Sequence, residues 1–442
     1  MDYKTKKVDF YLNLNKLQDN YKKFSNIGQV YYPVKSNSNE VIIRELDKLG
    51  SNFLIAYLNH FKKLISIGVE PSKCFVSSTL MSEMDTRYLY DNGVRFFTFD
   101  NIESLKTFLS YADKNKVKVA LRINIGEVFD VFSHLGATST ELDEMVDILK
   151  DAGVTNYGIS FYLQKELFME SDSLMTMIDF ITKKFSQRGI RFIDIGGGLE
   201  PEKIDKEKVI KSLSSIEVSE IIVEPGRYLV GNAGFMETEV IRKKASNVFI
   251  LQNGIYSGLL DSKLVGKKFD LSIVTHDEVI QLSKENDSKK REITFCGSSN
   301  DSIDIIGTYY LDEDKLNLIG EGTTVIVNDA LSYVEELFIP LGGDFNIDYH
   351  IISGDAIELY KDVVRAHVCC SANREYLEKV NKCGCFYCLK VFNPKEIKTW
   401  CNGGETAVCP YCGIDSIIYD NKFYPVETWF LEKMKKHWFG DL

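Results

Sequence analysis

Residue types suited to a covalent cofactor site directly follow short apolar runs in the first half of the chain. Lys35 comes immediately after Tyr31-Tyr32-Pro33-Val34 and precedes Ser36 and Asn37. A lysine that abuts a buried strand is costly unless its amine is paired or reactive. An aldehyde cofactor needs such an amine to form a Schiff base. Taken alone, the position favours a lysine that simply reaches solvent, so the assignment depends on the other motifs.

Two further motifs could bind an anionic, nitrogen-containing ring. Gly196-Gly197-Gly198 follows the apolar run 192–195, and three glycines let backbone N–H groups approach phosphate oxygens. Glu224 and Arg227 follow the next apolar run, where the arginine could join a phosphate site and the glutamate could pair with a protonated pyridine nitrogen. The alternatives are a flexible glycine turn and a surface Glu–Arg pair. The order of the motifs, one run apart, favours the cofactor site.

The cysteines predict a metal site near the C-terminus. Eight of the 10 cysteines lie at or after residue 369, and two CxxC pairs, Cys385/Cys388 and Cys409/Cys412, are separated by the 20 residues 389–408. Four thiolates at this spacing form a tetrahedral zinc site, and four protein ligands leave no position open for catalysis. We therefore expect a structural zinc ion. The alternative is a set of incidental thiols.

Composition excludes several classes of protein. The 442 residues are 44% hydrophobic and 26% charged, with a formal net charge of -11, which argues against a general binder of nucleic acid or anionic membranes. The N-terminal segment lacks the apolar core of a signal peptide, and no apolar stretch is long enough to span a bilayer. A cytoplasmic protein is expected.

The apolar runs predict the architecture that positions these motifs. Eight runs alternate with amphipathic helical stretches, which is typical of a TIM (β/α)8 barrel, with an open doubly wound α/β sheet as the alternative. The runs are Val30–Val34, Phe53–Ala56, Cys74–Ser77, Arg95–Phe99, Val117–Ile123, Tyr157–Tyr162, Arg191–Ile195 and Glu220–Val223. After residue 233 strand patterns dominate. The predicted domains are a barrel over 9–233, a β domain formed by 1–8 and 234–365, and a small zinc ribbon over 366–442.

Six motifs in sequence order resemble the fold-type III pyridoxal-phosphate (PLP) decarboxylases, the group of ornithine, diaminopimelate and arginine decarboxylases. The resemblance covers about residues 9–345. The motifs are Tyr32-Pro33-Val34-Lys35-Ser36-Asn37, Thr98-Phe99-Asp100, Leu121-Arg122-Ile123-Asn124, Ser133-His134-Leu135-Gly136, Asp194-Ile195-Gly196-Gly197-Gly198 and Glu224-Pro225-Gly226-Arg227-Tyr228. The C-terminal segment resembles a small bacterial zinc-ribbon module.

The resemblance implies PLP as the cofactor and a role for each matched residue. Lys35 would form the Schiff base, Glu224 would pair with the pyridine nitrogen, and Gly197, Gly198 and Arg227 would hold the phosphate. The full set of residues implied to bind the cofactor is Lys35, Asp100, Arg122, Tyr162, Gly197, Gly198, Glu224, Gly226, Arg227 and Tyr333.

Two segments of the β domain resemble parts that this family shares across a homodimer. The segment 297–304 resembles a loop that crosses the dimer interface, in which Asp301 would bind the distal amine of the substrate. The segment 330–333 resembles one whose tyrosine, here Tyr333, reaches the phosphate of the partner's cofactor. A homodimer with shared active sites is therefore implied.

The chain also departs from the family pattern at two functional positions. Tyr162 stands where the family has a histidine that stacks on the cofactor ring, and Gln164-Lys165-Glu166-Leu167 replaces the glycine- and serine-rich loop that follows. Asn300 stands where the family has a cysteine that returns a proton after CO2 leaves, and an asparagine cannot do so. PLP binding is expected, whereas standard ornithine decarboxylation is not.

Three functions remain open from the sequence. The first is a PLP-dependent decarboxylase (carboxy-lyase) that acts on an amino acid or amino-acid-like group, with Lys35, Asp301 and Asn300 at the reacting centre. The second keeps PLP but changes the reaction to a racemase or transaminase, or changes the substrate to a carrier-linked or peptide–nucleotide intermediate. The third is a non-catalytic PLP-binding regulatory protein.

Overall fold

The computed structural model describes residues 6–163, 167, 172–214, 216, 218–245, 247–275, 278–335 and 345–440. The chain divides into two compact units. The first comprises Met1–Leu271 and Leu282–Ile351, and the second comprises Ser272–Gln281 and Ile352–Leu442.

A closed barrel of eight parallel strands forms most of the first unit. The strands, in barrel order, are β2 (Gln29–Pro33), β3 (Asn52–Ile55), β4 (Cys74–Val76), β5 (Phe96–Phe99), β6 (Lys118–Arg122), β7 (Tyr157–Ser160), β8 (Phe192–Asp194) and β9 (Glu220–Val223). Each of the eight predicted runs overlaps one of these strands to within one residue at its start. The first and last strands pair in register, Gln29 with Ile222 and Val30 with Val223, which excludes the open sheet.

One helix precedes the first barrel strand, and a helix follows each of the eight strands. They are α1 (Leu14–Ser25), α2 (Glu40–Lys48), α3 (Leu58–Ile67), α4 (Glu83–Asp91), α5 (Ile102–Tyr111), α6 (Ser139–Asp151), α7 (Ser173–Phe185), α8 (Lys206–Leu213) and the short α9 (Arg227–Val230). Side chains that accept from backbone N–H groups start many of them. Thr138 and Glu141, for example, form a reciprocal capping box at the start of α6.

The interior of the barrel is filled by side chains, as in other TIM barrels. Aromatic rings dominate this layer, and the rings of Phe75 and Phe96 stack with centroids 3.7 Å apart. The layer consists of Tyr31, Leu54, Phe75, Phe96, Ala120, Phe192 and Ile222. The barrel is therefore a packed core, and only its two ends are available for a site.

A mostly antiparallel sheet forms the rest of the first unit. Strands β16 (Thr324–Asn328), β10 (Gly234–Ala245), β11 (Val248–Leu251), β14 (Lys290–Cys296) and β15 (Ile305–Asp312) lie side by side in that order. The N-terminal strand β1 (Lys6–Asn13) also pairs with the first half of β10, and β17 (Phe345–Ile352) pairs with β1. A short helix, α10 (Asp261–Leu264), follows β11. Residues 9–13, which the sequence placed in the barrel, thus extend the first strand of this sheet, and the barrel segment begins at α1.

The second unit contains the cysteine-rich segment. Its elements are the hairpin of β12 (Asp270–Val274) and β13 (Val279–Gln281), β18 (Cys383–Cys385), β19 (Val391–Phe392), β20 (Thr399–Cys401), β21 (Thr406–Val408), β22 (Ile417–Tyr419), α11 (Ala356–Arg365), α12 (Arg374–Leu377) and α13 (Thr428–Phe439). Strands β19, β18 and β22 form one sheet and β20 and β21 another. The compact unit thus begins at Ile352, before the predicted boundary at residue 366.

Within the part of the chain that the structure describes, no helix combines the length and the apolar character needed to cross a bilayer.

Candidate active site

Lys35 lies at the carboxyl end of the first barrel strand, on a single 3-10 turn over Val34–Ser36. The first barrel strand holds the turn, because the hydroxyl of Tyr32 on that strand donates to the Asn37 carbonyl at 2.9 Å. It is also held from the β domain, because the Asn37 amide donates to the Leu331 carbonyl at 2.8 Å and to the Tyr349 hydroxyl at 2.9 Å. The residues on either side of Lys35 are buried, whereas Lys35 itself is exposed at the barrel mouth.

Two carboxyl groups meet at the ends of the seventh and eighth barrel strands. Asp194 is fully buried and accepts hydrogen bonds from the Ser160 hydroxyl at 2.9 Å and from the backbone N–H of Gly196 at 3.0 Å. The carboxyl group of Glu224 lies within hydrogen-bonding reach of Asp194. Two buried carboxyl groups this close repel each other when both are ionised, which favours a single proton shared between them.

Burial and mutual repulsion shift the titration of this pair. Burial, followed by the neighbouring charge of Asp194, raises the pKa of Glu224 well above its usual value. Burial also raises the pKa of Asp194, although its hydrogen bonds act in the opposite direction. The positive charges of Arg122 and Lys35 lower the pKa of Glu224, which places both cations within electrostatic reach of the pair. Lys35, Arg122 and Glu224 all lie at the carboxyl ends of barrel strands, so the structure places them at one rim of the barrel.

The glycine turn after the seventh strand has a conformation that side chains would block. Gly196 and Gly198 have φ angles of 71° and 75°, in the left-handed region that favours glycine. A Cβ atom at Gly197 would lie 2.6 Å from the carbonyl oxygen of Glu224. Tyr162, which is 38% exposed, lies beside the turn, with its ring 3.6 Å from the Cβ position of Gly198. Tyr162 therefore lies next to the glycine turn that the sequence predicts to hold the phosphate.

Gly226 and Arg227 flank the same end of the barrel. A Cβ atom at Gly226 would lie 2.3 Å from the hydroxyl of Ser36, the residue that follows Lys35. That hydroxyl is buried and has no hydrogen-bond partner among the described residues. Arg227 forms an ion pair with the buried Asp261, with 3.1 Å between Nε and Oδ2, and its guanidinium lies 4.5 Å from the centroid of the Tyr333 ring.

Tyr333 lies at the barrel mouth of its own chain, whereas the family resemblance implies that it reaches the partner's cofactor. Its backbone N–H donates to the carbonyl of Ser36, and its ring lies against Arg227. The reason is the short distance in sequence between the end of β16 and Tyr333, which leaves the segment 330–335 against the first barrel loop. Tyr333 has a φ of 57°, an uncommon value for a residue with a side chain.

Asp100 and the 297–304 loop form hydrogen bonds with other partners. Asp100 accepts from the backbone N–H of Gly136 at 3.1 Å, and so anchors the loop that follows β6. Asn300 and Asp301 are exposed, and the Asp301 carboxylate accepts a hydrogen bond from the Tyr256 hydroxyl. Among the described residues, no hydrogen bond or ion pair connects Asn300 or Asp301 with Lys35 of the same chain. Asp304 shapes their loop by accepting from the N–H groups of Ile255 at 2.8 Å and Ser299 at 3.2 Å.

Sequence reasoning missed three residues of this site. Asp194 was visible as part of the motif that ends in three glycines, and a charged residue at the end of an apolar strand was the available signal. Ser160 is an ordinary strand residue, and only its contact with Asp194 marks it. Asp261 lies 34 residues from Arg227, in a segment without a recognisable motif, so no local signal could have identified it.

A second cluster lies in the C-terminal unit, where the structure brings together all four predicted cysteines. One ligand sulfur from each of Cys385, Cys388, Cys409 and Cys412 lies within 4.8 Å of all the others. The Cys385–Cys412 and Cys388–Cys409 sulfur distances are 3.6 and 3.7 Å. Zn–S bonds of about 2.3 Å in a tetrahedron require sulfur–sulfur distances of about 3.8 Å. The donor set therefore fits a zinc ion.

Comparison with known proteins supports this reading of the barrel. Residues 13–231 match the family model described as the pyridoxal-binding domain of pyridoxal-dependent decarboxylases. The lysine/ornithine decarboxylase of Selenomonas ruminantium is 25% identical over 345 residues, which cover 73% of this chain and 83% of that protein. The probable ornithine decarboxylase of Dictyostelium discoideum is 23% identical over 62% of this chain.

The solved structures show the fold. The arginine decarboxylase of Paramecium bursaria Chlorella virus superposes with a TM-score of 0.65 at 19% identity, over 78% of this chain and 96% of that one. The chain spans between about half and two thirds of the length of several curated ornithine decarboxylases that it matches, at 64%, 53% and 57%. Together these findings confirm the TIM barrel with a β domain and support a PLP-dependent carboxy-lyase, and they leave the substrate open.

The shared proton predicts how stability depends on pH in the cofactor-free protein. A carboxyl group whose pKa is higher in the folded than in the unfolded protein makes its full contribution to stability below the unfolded pKa of about 4. This contribution is lost as the pH rises towards the pKa of the folded protein. The quantity to compare is the difference in unfolding free energy between the wild type and Asp194→Asn. We expect this difference to fall as the pH rises from about 5 to about 8. The slope should not exceed about 1.4 kcal/mol per pH unit for one proton. Urea denaturation at several pH values measures it.

Glu202→Gln is the matched control. Hydrogen bonds from Lys23 and Tyr228 lower the pKa of Glu202 to about 2, so its carboxylate stays ionised across this range and its difference curve should be flat. A flat curve for Asp194→Asn as well would show that the two carboxyls do not share a proton.

Proposed function

We propose that this chain is a PLP-dependent decarboxylase of an amino acid or amino-acid-like group, and that the barrel, which begins at α1, forms its cofactor-binding domain. The observation that carries the proposal is the convergence of Lys35, Arg122 and the Asp194–Glu224 pair at the carboxyl end of one barrel. Active sites of TIM barrels lie at this end. The matched pyridoxal-binding domain and the decarboxylase relatives support it.

The residues at the barrel mouth fit PLP chemically. An exposed lysine amine can hold an aldehyde, and a glycine turn that side chains would block, next to Arg227, suits a phosphate. The buried Ser36 hydroxyl beside Gly226 lacks a partner within the described part of the chain. The Glu224 carboxyl suits a protonated ring nitrogen. Lys35, Asp100, Arg122, Tyr162, Gly197, Gly198, Glu224, Gly226, Arg227 and Tyr333 would surround the group.

In the proposed reaction, bound PLP supplies an electron sink for the electron pair that remains on the substrate when CO2 leaves. The Nζ of Lys35 would hold the cofactor and, after a substrate amine replaces it, would carry a proton as a free amine. The carboxyl group of Glu224 would give its proton to the ring nitrogen, and the resulting carboxylate, near Arg122, would keep that nitrogen protonated. Tyr162 would cover one side of the site and limit the access of water.

The Asn300 position favours a second candidate reaction on the same cofactor. An asparagine side chain cannot return a proton to the substrate. Lys35 or a tyrosine would then have to supply it, and a changed proton donor can redirect the reaction towards racemisation or transamination. A regulatory protein that binds PLP without turnover is the third possibility.

We further propose a homodimer in which the 297–304 loop completes the partner's site. The loop is exposed, and apolar side chains accompany it, with Ile303 52% and Ile305 41% exposed. At the barrel mouth, Phe132 is 86% and Tyr57 65% exposed. A second copy of the chain would bury both surfaces and bring the Asp301 carboxylate to an amine of the substrate.

For the C-terminal unit, we propose a structural zinc ion bound by Cys385, Cys388, Cys409 and Cys412.

The first test is Lys35→Ala. Without the amine, the purified variant should lose the visible absorbance of covalently held PLP, and CO2 release should fall to background. Lys48→Ala, on the exposed face of α2, is the control and should retain both. Mass spectrometry of wild-type reactions over a panel of amino acids identifies the products. A reducible covalent PLP adduct in Lys35→Ala would contradict the assignment, and products that retain the carboxyl group would favour the second candidate.

A second test concerns the shared site. Lys35→Ala and Asp301→Ala are each expected to be inactive, yet their mixed dimers should contain one competent site. Random exchange should therefore restore about one quarter of wild-type activity. Mixing Lys35→Ala with Glu224→Gln is the control and should restore none, because both changes lie in the barrel. Absence of recovery in the first mixture, with heterodimers verified by mass, would contradict sharing through Asp301.

A third test concerns the metal. Because a closed four-cysteine site supplies folding energy and no chemistry, removal of zinc or Cys409→Ser should unfold the cysteine-rich unit and leave PLP absorbance intact. Metal analysis of the wild type should give about one zinc per chain. Cys401→Ser, outside the cluster, is the control and should keep its zinc. A protease-resistant C-terminal unit after complete zinc removal would overturn the structural role.

A further inference from the structure

Arg227 is held by residues from the β domain, although it belongs to the barrel. It begins α9 directly after the eighth barrel strand, whereas Asp261 begins α10 after β11. The Nε of Arg227 donates to both carboxylate oxygens of Asp261, at 3.2 Å to Oδ1 and 3.1 Å to Oδ2. Asp261 is only 2% exposed, so this ion pair is shielded from solvent on the carboxylate side.

The carboxylate of Asp261 is itself held in place. Its Oδ2 also accepts a hydrogen bond from the Ser332 hydroxyl at 3.1 Å, and Ser332 is buried. Ser332 precedes Tyr333, whose ring covers the guanidinium of Arg227. The φ of 57° at Tyr333 is a strained conformation for a tyrosine, of the kind that a surrounding structure maintains at functional sites. Three side chains of the β domain thus fix one arginine.

The geometry leaves one part of the guanidinium available. Nε is occupied by Asp261 and one face of the group by Tyr333. The two terminal nitrogens have no acceptor within hydrogen-bond distance among the residues the structure describes. A planar guanidinium that is oriented in this way can present two parallel N–H groups to an oxyanion.

We infer that Asp261 is a positioning residue for the phosphate of the cofactor, and that it acts by orienting Arg227. This inference rests on the proposed function, because it assumes that the anion at this end of the barrel is the phosphate of PLP. A carboxylate beside an arginine can also compete with a phosphate for the guanidinium. The occupation of Nε, rather than of the terminal nitrogens, favours positioning over competition.

The test compares two aldehydes that differ only in the phosphate. Affinities of PLP and of pyridoxal for the cofactor-free protein are measured from the absorbance of the bound aldehyde, without any assay of turnover. The ratio of the two affinities reports the contribution of the phosphate. We expect Asp261→Asn to lower this ratio about ten-fold, the scale of one charge-assisted hydrogen bond, while the affinity for pyridoxal changes little.

A double-mutant cycle shows whether the effect passes through Arg227. In an Arg227→Met background, Asp261→Asn should leave the ratio unchanged, because the residue that it orients is absent. Asp270→Asn, which removes a partly exposed β-domain carboxylate paired with Lys284, is the matched control and should keep the wild-type ratio. If Asp261→Asn fails to fold, Asp261→Glu keeps the charge but displaces the carboxylate, and should also lower the ratio.

The outcomes separate the two proposals. A wild type that binds neither aldehyde overturns the proposed function and this role with it. A wild type that prefers PLP, with an equal or higher preference in folded Asp261→Asn or Asp261→Glu protein, overturns the role of Asp261 alone. An additive effect of Asp261→Asn in the Arg227→Met background would show that Asp261 does not act through Arg227, and would overturn the inference in the same way.

Discussion

Closure of the barrel is the constraint on which the candidate site depends. Pairing of the first strand with the last, through Gln29 with Ile222 and Val30 with Val223, joins segments almost 200 residues apart in sequence. Because parallel strands all end at the same rim, closure places Lys35 beside Glu224 and the glycine turn. The core below is a packed layer of aromatic and aliphatic side chains, so polar groups of these strands can gather only at the ends. Without closure, Lys35 and Glu224 would lie at opposite edges of an open sheet.

The gathered charges then determine the electrostatics of the rim. Two carboxyl groups in contact cannot both ionise at low cost, and the nearby cations Arg122 and Lys35 offset only part of their burial. Ser160 and the Gly196 N–H hold Asp194 in place, and Asp194 in turn fixes the carboxyl of Glu224. The carboxyl group of Glu224, which would pair with a ring nitrogen, therefore has a defined position before any ligand binds. This reduces the entropy that is lost when the ligand binds.

The β domain contributes to the same rim by holding the barrel loops. Asn37 is fixed by Leu331 and Tyr349, and Arg227 by Asp261 and Tyr333. The lysine loop and the arginine loop are thus both held by segments of the β domain that follow the barrel in sequence. The cysteine-rich unit is a separate case. Its hydrophobic cluster includes two of the four cysteine ligands, so the metal site and the small core of that unit depend on each other.

The sequence by itself determined the periodic elements and the local motifs. All eight barrel strands, the dominance of strands after residue 233 and the four-cysteine set were predicted, because apolar periodicity and short ligand spacings are local properties of the chain. Lys35, Glu224 and the glycine turn were identified for the same reason, since each directly follows a strand. What only the tertiary structure decided was which distant groups meet. The Asp194–Glu224 contact, the Asp261–Arg227 pair and the place of Tyr333 in its own chain depend on strand closure and on packing of the β domain against the barrel loops, and no local pattern encodes those distances.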